Sequence, residues 1–134
     1  MQRVDGRLSN QIRPISLTPN FISYAAGSVL IELGNTKVLC AVSLIPSVPS
    51  FLKNKKTGWL TAEYAMLPAA THNRMQRESI SSQRQSRAVE ISRLIGRVFR
   101  SVVDLSVLGE QTLAIDCDVL QADGGTRTAA IIGS

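Results

Sequence analysis

Short runs of apolar and β-branched residues, separated by polar or glycine-rich breaks, dominate the first half of the chain. The link at 34–37, Gly-Asn-Thr-Lys, predicts a hairpin because glycine and asparagine tolerate the positive φ of a tight turn. Prolines and lysines at 46–58 predict an exposed loop. Runs of this length and composition predict β-strands, and they are RPISLTP (13–19), NFISYA (20–25), SVLIELG (28–34), KVLCAVSLI (37–45) and WLTAEYAML (59–67).

From Ser86 onward, the spacing of the apolar residues changes from that of strands to that of a helix. Apolar residues at spacings of three and four predict a helix over 86–105, and Gly109 ends the element. The apolar face of this helix comprises Ile91, Leu94, Ile95, Val98, Val102 and Leu105. A second face, predicted to meet solvent or a neighbouring subunit, carries Arg93, Arg97 and Arg100.

In the last part of the chain, apolar and polar residues alternate, and two glycines then break this pattern. TLAIDCDVL (112–120) predicts a strand with Asp116 and Asp118 on the face opposite its apolar residues. Gly124 and Gly125 break this strand, and a helix is predicted to start at about Thr126. The order of elements predicts an α+β fold, a mainly antiparallel sheet with a long helix packed on one face.

Composition fits one domain over residues 1–134, with a mobile basic loop at 68–86, where the sequence is polar and shows no period. The hydrophobic content of 44% is enough for a core and argues against wholesale disorder.

Cys40 and Cys117 lie in apolar runs without metal-ligand spacing, which predicts buried free thiols in a cytoplasmic protein. No signal peptide or membrane-spanning run is evident.

The net charge of +5 is compatible with a polyanionic partner, although a soluble protein can be basic without one. Arg74, Arg77 and Arg84 in the polar segment suit contacts to a nucleic-acid backbone, or simply a solvated loop. His72 in the same segment has no evident catalytic partner. Trp59 is expected in the core or at an interface.

The double glycine and the helix start after it form a candidate anion site. The first N–H groups of a helix lack internal partners and carry partial positive charge. Thr126 can add a hydroxyl and Arg127 a forked cationic donor, although a plain structural turn explains the same residues. Arg87 begins the long helix, where an arginine is unfavourable without a nearby anion. Asp116 and Asp118 could suit Mg²⁺, but a structural role in the sheet fits them better.

Several longer runs of the sequence are distinctive, and they are VDGR (4–7), IRPISLTPNF (12–21), GSVLIELGNTKVLC (27–40), GWLTAEYAMLP (58–68), THNRMQRE (71–78), EISRLIGR (90–97) and VVDLSVLGEQTLAIDCDVLQADGGTRTAA (102–130). Together these runs resemble the ribonuclease PH family of phosphorolytic exoribonucleases. The resemblance is to the N-terminal half of the family's chain. It implies the ribosomal protein S5 domain 2-like β/α fold, truncated at its C-terminal end.

The resemblance also implies an activity, a site and partners. Inorganic phosphate, the co-substrate, would be held by Gly125, Thr126 and Arg127 together with Arg87. The segment around Arg74 and Arg77 would contact RNA and stabilise the ring. The family trims tRNA 3′ ends, releases nucleoside diphosphates and assembles as a hexameric ring, a trimer of dimers. Its Mg²⁺ ligands and general acid would lie beyond residue 134, so the chain alone is expected to be inactive, with no metal or general-acid residue of its own.

Two departures from the family pattern stand in this chain. Ala69 follows the MLP turn where the family commonly has arginine, which should weaken contacts of that loop. Gln85 and Ser86 replace glycines that usually precede the helix arginine. A non-catalytic, RNA-binding or ring-forming subunit related to exosome rings is the main alternative. A domain of polynucleotide phosphorylase is another, and the run at 102–130 argues against it.

Overall fold

A computed structural model describes residues 3–77 and 86–134. The predicted α+β class is confirmed in this part of the chain. Its strands are β1 (Ile15–Pro19), β2 (Gly27–Leu33), β3 (Thr36–Ile45), β4 (Trp59–Met66) and β5 (Thr112–Gln121). Its helices are α1 (Ser86–Arg100) and α2 (Thr126–Gly133), and a 3₁₀ turn spans Ser50–Leu52.

The strands form one mixed sheet in the order β1-β2-β3-β5-β4. The β1–β2, β2–β3 and β3–β5 pairs are antiparallel, and only the β4–β5 pair is parallel among those described. The sheet is therefore mainly antiparallel, as predicted. The parallel pair follows from the crossover through α1, which returns the chain to the same end of the sheet.

The predicted hairpin joins β2 and β3, and its turn is tighter than the four-residue link suggested. Leu33 pairs with Thr36, so only Gly34 and Asn35 lie between the strands. Gly34 has a φ of 59°, and it supplies the positive φ of this turn. The turn therefore depends on the glycine rather than on the asparagine.

The core lies between one face of the sheet and both helices. Ile91 and Ile95 of α1, and Ala129 and Ala130 of α2, are fully buried in a single apolar cluster. α1 lies over β4, while α2 lies over β2 and β3. Strands β2 to β5 contribute residues two apart to this cluster, among them Ile31, Leu33, Val38, Cys40, Leu60, Ala62, Ile115, Cys117 and Val119, whereas β1 is exposed along its whole length. The prediction that Cys40 and Cys117 are buried free thiols is confirmed.

Two sequence predictions about element boundaries were wrong. The run at 20–25 is a bend rather than a strand, because Asn20 adopts a φ of 56° and the chain reverses there, with Phe21 and Tyr24 exposed. The long helix ends at Arg100 instead of continuing to residue 105. The Ser101 hydroxyl donates to the Val98 carbonyl at 2.6 Å, which competes with the helical backbone bonds.

The arginine face of α1 is divided. Arg93 and Arg97 are exposed, as predicted, but Arg100 is half-buried. Its guanidinium donates to the Leu60 carbonyl at 2.9 Å and lies 4.7 Å from the centre of the Trp59 ring. Arg100 therefore joins α1 to β4 and is not part of the solvated face. No helix in the described part of the chain is long and apolar enough to cross a membrane.

Candidate functional site

The turn between β5 and α2 is built on two left-handed glycines. Gly124 and Gly125 have φ values of 78° and 72°, a conformation in which a Cβ is strained. The Ala129 N–H donates to the Gly125 carbonyl at 2.9 Å, which is the first helical bond of α2. The N–H groups of residues 126–128 therefore have no helical acceptor, and they form the positive end of the helix dipole.

The buried hydroxyl of Thr36 fixes the turn on its inner side. Thr36 is completely buried at the start of β3. Its Oγ1 donates to the Gly124 carbonyl at 2.7 Å and accepts from the Asp123 N–H at 3.0 Å. One side chain thus satisfies two backbone groups of the turn, and the turn has a defined shape even though glycine is the most flexible residue.

The hydroxyl of Thr126 points into the protein interior. The side chain is 5% exposed, and its Oγ1 lies 2.8 Å from the hydroxyl of Tyr64, which is 4% exposed. This bond joins the first residue of α2 to β4. The group that Thr126 offers to an anion is consequently its backbone N–H, rather than the hydroxyl that the sequence suggested.

Arg127 links the beginnings of the two helices. Its Nη2 lies 2.7 Å from the Glu90 carboxylate of α1, and both side chains are partly exposed. Arg87 precedes Glu90 by three residues, so the two share one side of α1. The structure therefore brings the Arg127 guanidinium to the side of α1 that carries Arg87. An arginine has five N–H donors, and one carboxylate leaves several available to an anion.

The basic loop begins beside the same turn. The Ala122 N–H donates to the Ala70 carbonyl at 2.8 Å, and Ala70 is buried. A cavity of about 300 Å³ separates this part of the loop from Asp123, and its lining includes Ala69 and His72. His72 is exposed in the loop. The contact places the loop next to the double glycine.

The structure describes two of the three arginines of the basic loop. Arg74 and Arg77 are both exposed, in the segment that follows the anchored Ala70. Arg84 lies outside the described residues, as does the rest of 78–85. A role in RNA binding therefore stays a prediction for all three arginines.

Asp116 and Asp118 lie on the face of β5 opposite its core residues, and they line a cavity of about 410 Å³ together with Ser92 of α1. Burial and the nearby Glu63 carboxylate raise the pKa of Asp116, and burial and Asp116 raise the pKa of Asp118. Glu63 stands opposite Asp116 in the register of β4 and β5. Within residues 3–77 and 86–134, no group of three potential metal ligands is present. The structural role in the sheet that the sequence favours for these two carboxylates stays a prediction.

The sequence did not identify several residues that contact the turn and the start of α2. Thr36 and Tyr64 contact it from strands that are remote in the chain, and Glu90 contacts Arg127 across the helices. Alternation along β4 could have placed Tyr64 on the buried face, since Leu60 and Ala62 precede it at spacings of two. Nothing local in the sequence points to Thr36, because its partners are more than eighty residues away.

Comparison with curated proteins returned relatives named ribonuclease PH. The chain is 59% identical over 133 residues to that of Mycolicibacterium smegmatis (strain ATCC 700084 / mc(2)155), covering 99% of this chain and 51% of the relative. The same identity and coverage hold for ribonuclease PH of Mycobacterium sp. (strain KMS). The chain thus spans about half the length of the curated relatives it matches.

Solved structures of other proteins share this architecture. The structure of rice (Oryza sativa) Rrp46 matches with a TM-score of 0.80 and 26% identity, covering 98% of this chain and 57% of that chain. An Archaeoglobus fulgidus exosome with RNA bound to the active site matches with a TM-score of 0.83 and 25% identity, covering 98% and 53%. These similarities support the ribosomal protein S5 domain 2-like fold that the resemblance implied.

The chain also matches a model of a protein family. Residues 11–134 match domain 1 of the 3′ exoribonuclease family, the RNase PH type. This match covers most of the chain, including β1 to β5, both helices and the double-glycine turn. The chain therefore belongs to the 3′ exoribonuclease family of ribonuclease PH, as its domain 1.

Proposed function

We propose that this chain supplies the phosphate-binding part of a phosphorolytic 3′→5′ exoribonuclease. The observation that carries the proposal is the start of α2. The N–H groups that follow the double-glycine turn have no helical acceptor, and Arg127 reaches the side of α1 that bears Arg87. Arginine guanidinium groups and the N-terminus of a helix are donors that favour a small, doubly charged anion. Membership of the family makes inorganic phosphate the expected anion.

The chemistry explains why such a site is needed. An oxygen of inorganic phosphate forms a bond to the phosphorus of the terminal 3′–5′ linkage of RNA. The bond from that phosphorus to the 3′ oxygen of the preceding nucleotide breaks. The 3′ oxygen leaves with the electron pair and takes up a proton that hydrogen phosphate brings. The products are a shortened RNA and a nucleoside diphosphate.

Charge repulsion is the main obstacle to this reaction, because both reacting groups are anions. Phosphate needs no strong base, since it is already nucleophilic. Arg87, Arg127 and the N–H groups of 125–127 would neutralise the attacking phosphate and hold it in one orientation. A rigid turn favours this role, because its donors are in place before the anion arrives.

Magnesium is the metal expected from the family. Asp116 and Asp118 lie on the face of β5 opposite its core residues, and no cluster of three potential ligands occurs in the described ranges. No step of the reaction is therefore assigned to a metal on this chain. We expect the 134-residue chain by itself to release no nucleoside diphosphate from RNA.

RNA would approach along the basic loop, and the tRNA 3′ end is the substrate we propose. Arg74 and Arg77 are exposed in a segment anchored at Ala70, beside the turn. Exposed arginines of this kind bind the phosphate backbone without reading sequence. Ala69 adds no charge where the family commonly has arginine, which predicts weaker binding at this point. A homo-hexameric ring, built as a trimer of dimers, is the assembly we expect.

A second candidate function is a ring subunit that binds RNA without catalysis. The similarity to exosome structures favours it as much as it favours an enzyme. The two functions differ at Arg127, which the non-catalytic subunit would need only for its ion pair with Glu90. Phosphate affinity therefore separates them.

Titration calorimetry with inorganic phosphate tests the proposed function. We expect one site per chain, and about a ten- to hundredfold rise in Kd for Arg127→Ala and for Arg87→Ala, since each removes a charge-assisted hydrogen bond. The double variant should lose less than the product of the two effects, because both residues contact the same anion. Arg97→Ala is the matched control, since Arg97 is an exposed arginine of the same helix. Equal affinity in Arg127→Ala and Arg97→Ala would overturn the proposal.

A further inference from the structure

Arg13 reaches the double-glycine turn from the segment before β1. Its Nη1 donates to the Asp123 carbonyl at 2.8 Å, and its Nη2 donates to the Gly124 carbonyl at 3.0 Å. The two guanidinium nitrogens thus hold two consecutive carbonyl groups, 110 and 111 residues away in sequence. This is the forked geometry that only arginine offers.

The fit around the guanidinium is close. A Cβ on Gly125 would overlap Arg13 Nη2, and a Cβ on Gly34 would lie 3.0 Å from Arg13 Cδ. The side chain therefore runs past the β2–β3 turn before it reaches the double glycine. Both turns thus place a glycine with positive φ, at 59° and 72°, against the same arginine.

The two carbonyl contacts determine where two amide groups point. In a trans peptide the C=O and the following N–H lie on opposite sides of the chain. Binding of the Asp123 carbonyl by Arg13 therefore turns the Gly124 N–H away from the arginine. In the same way, binding of the Gly124 carbonyl turns the Gly125 N–H away, and this carbonyl accepts from both Arg13 and the Thr36 hydroxyl. The guanidinium also covers two carbonyl oxygens that would repel an anion.

We propose that Arg13 is a positioning residue of the phosphate site, one that orients the Gly124 and Gly125 N–H groups toward the anion without touching it. The inference rests on the proposed function, because it concerns the same site. It adds a residue from the N-terminal segment to a site otherwise made of α1, α2 and the turn. Its role depends on the fork of the guanidinium, and not on positive charge alone.

Arg13→Lys separates these two contributions. Lysine keeps the charge, but its single ammonium cannot reproduce two parallel bonds to consecutive carbonyls. We expect the Kd for inorganic phosphate to rise about tenfold in Arg13→Lys, the equivalent of one lost hydrogen bond to a charged group. The Gly124 and Gly125 amide signals of the ¹⁵N-labelled chain should also move in the absence of phosphate, since their peptide planes are released.

Arg7→Lys is the matched control. Arg7 is an arginine of the same N-terminal segment, but its bonds are local, to Asp5 and to the Gln11 carbonyl. We expect its phosphate affinity and its glycine amide signals to equal those of the unchanged chain. Arg13→Ala should weaken binding at least as much as Arg13→Lys. If Arg13→Ala does not fold, Arg13→Lys still decides the outcome.

The outcomes distinguish the inference from the function on which it rests. Weaker binding in Arg127→Ala with unchanged binding in Arg13→Lys overturns the role of Arg13 and leaves the phosphate site intact. A lower melting temperature in Arg13→Lys with unchanged phosphate affinity shows a purely structural role, which also overturns it. No phosphate binding by the unchanged chain would overturn both. Weaker binding in both variants, with no effect of Arg7→Lys, supports both.

Discussion

At the scale of single residues, the turn after β5 depends on glycine at position 125. Gly125 has a φ of 72°, and a Cβ there would meet the guanidinium of Arg13. Alanine in a left-handed conformation costs about 1–2 kcal/mol, and the overlap adds to this cost. The residue is therefore fixed by backbone conformation and by its neighbour, in addition to any contact with an anion.

Gly125→Ala should lower the free energy of unfolding by about 1–3 kcal/mol and weaken phosphate binding. Gly27→Ala is the control, because Gly27 has no positive φ and no atom within 4 Å of the added Cβ. Chemical denaturation of both variants measures the difference. Equal unfolding free energies in Gly125→Ala and Gly27→Ala would contradict this account of the turn.

Asp116 should make the stability of the chain depend on pH. Burial and Glu63 raise its pKa, so the folded state binds a proton more readily than the unfolded state. Its contribution to stability is present at low pH and is lost as the pH rises from the ordinary value of 3.8 through the raised pKa. Asp116→Asn should therefore raise the melting temperature at pH 7 and change it less at pH 3.

Asp104 provides the control of opposite sign. It accepts bonds from the N–H and the hydroxyl of Ser106, which lower its pKa. Its contribution to stability is present above pH 3.8 and is lost as the pH falls through the lowered pKa. Asp104→Asn should lower the melting temperature at pH 7, so a rise in both variants would argue against these assignments.

At the scale of elements, α2 is attached to the sheet through its first residue. The Thr126 hydroxyl and the Tyr64 hydroxyl bond to each other at 2.8 Å, and both residues are buried. Tyr64 stands on β4, next to the strand that leads into the turn. This contact fixes where the helix begins, and therefore where its free N–H groups point.

Tyr64→Phe should lower the free energy of unfolding by about 1–2 kcal/mol, since it leaves the buried Thr126 hydroxyl without this partner. Tyr24→Phe is the matched control, because Tyr24 is fully exposed and its change should be negligible. Urea denaturation measures both. If the two variants are equally stable, the hydroxyl pair does not hold α2 in place.

The strands and helices also show which parts of the fold the sequence predicts. The strands that become β2 to β5 were predicted because their apolar residues alternate or cluster, and burial follows that pattern. The end of α1 was not predicted, because the spacing of apolar residues continues to Leu105. The Ser101 hydroxyl nevertheless bonds to the Val98 carbonyl and competes with the helical backbone bonds. The run at 20–25 has strand composition, yet Asn20 reverses the chain there. Local patterns predict which residues are apolar neighbours, and they miss the single residues that end an element.

The candidate site shows the same limit. Gly124, Gly125, Thr126 and Arg127 are contiguous, so the sequence exposes them as a motif. Their supports are Arg13, Thr36 and Tyr64, which come from three distant segments. The direction of the Thr126 hydroxyl depends on one of these supports. Only the folded chain shows that it points inward.

At the scale of the whole molecule, the arrangement of layers brings the site together. Both helices pack on the same face of the sheet, and an ion pair joins Arg127 near the start of α2 to Glu90 in α1. The basic loop starts beside the turn through the contact between Ala70 and Ala122. A net charge of +5 is compatible with the proposed role, in which phosphate is held close to an RNA chain.

A structure of the chain determined with inorganic phosphate tests the central claim most directly. The account predicts one phosphate with oxygens about 2.7–3.1 Å from the guanidinium groups of Arg87 and Arg127 and from N–H groups of residues 124–127. Arg127 would then share its donors between Glu90 and the anion. A phosphate bound elsewhere, or one that contacts Arg127 while the Arg87 side chain points away from it, would contradict the claim.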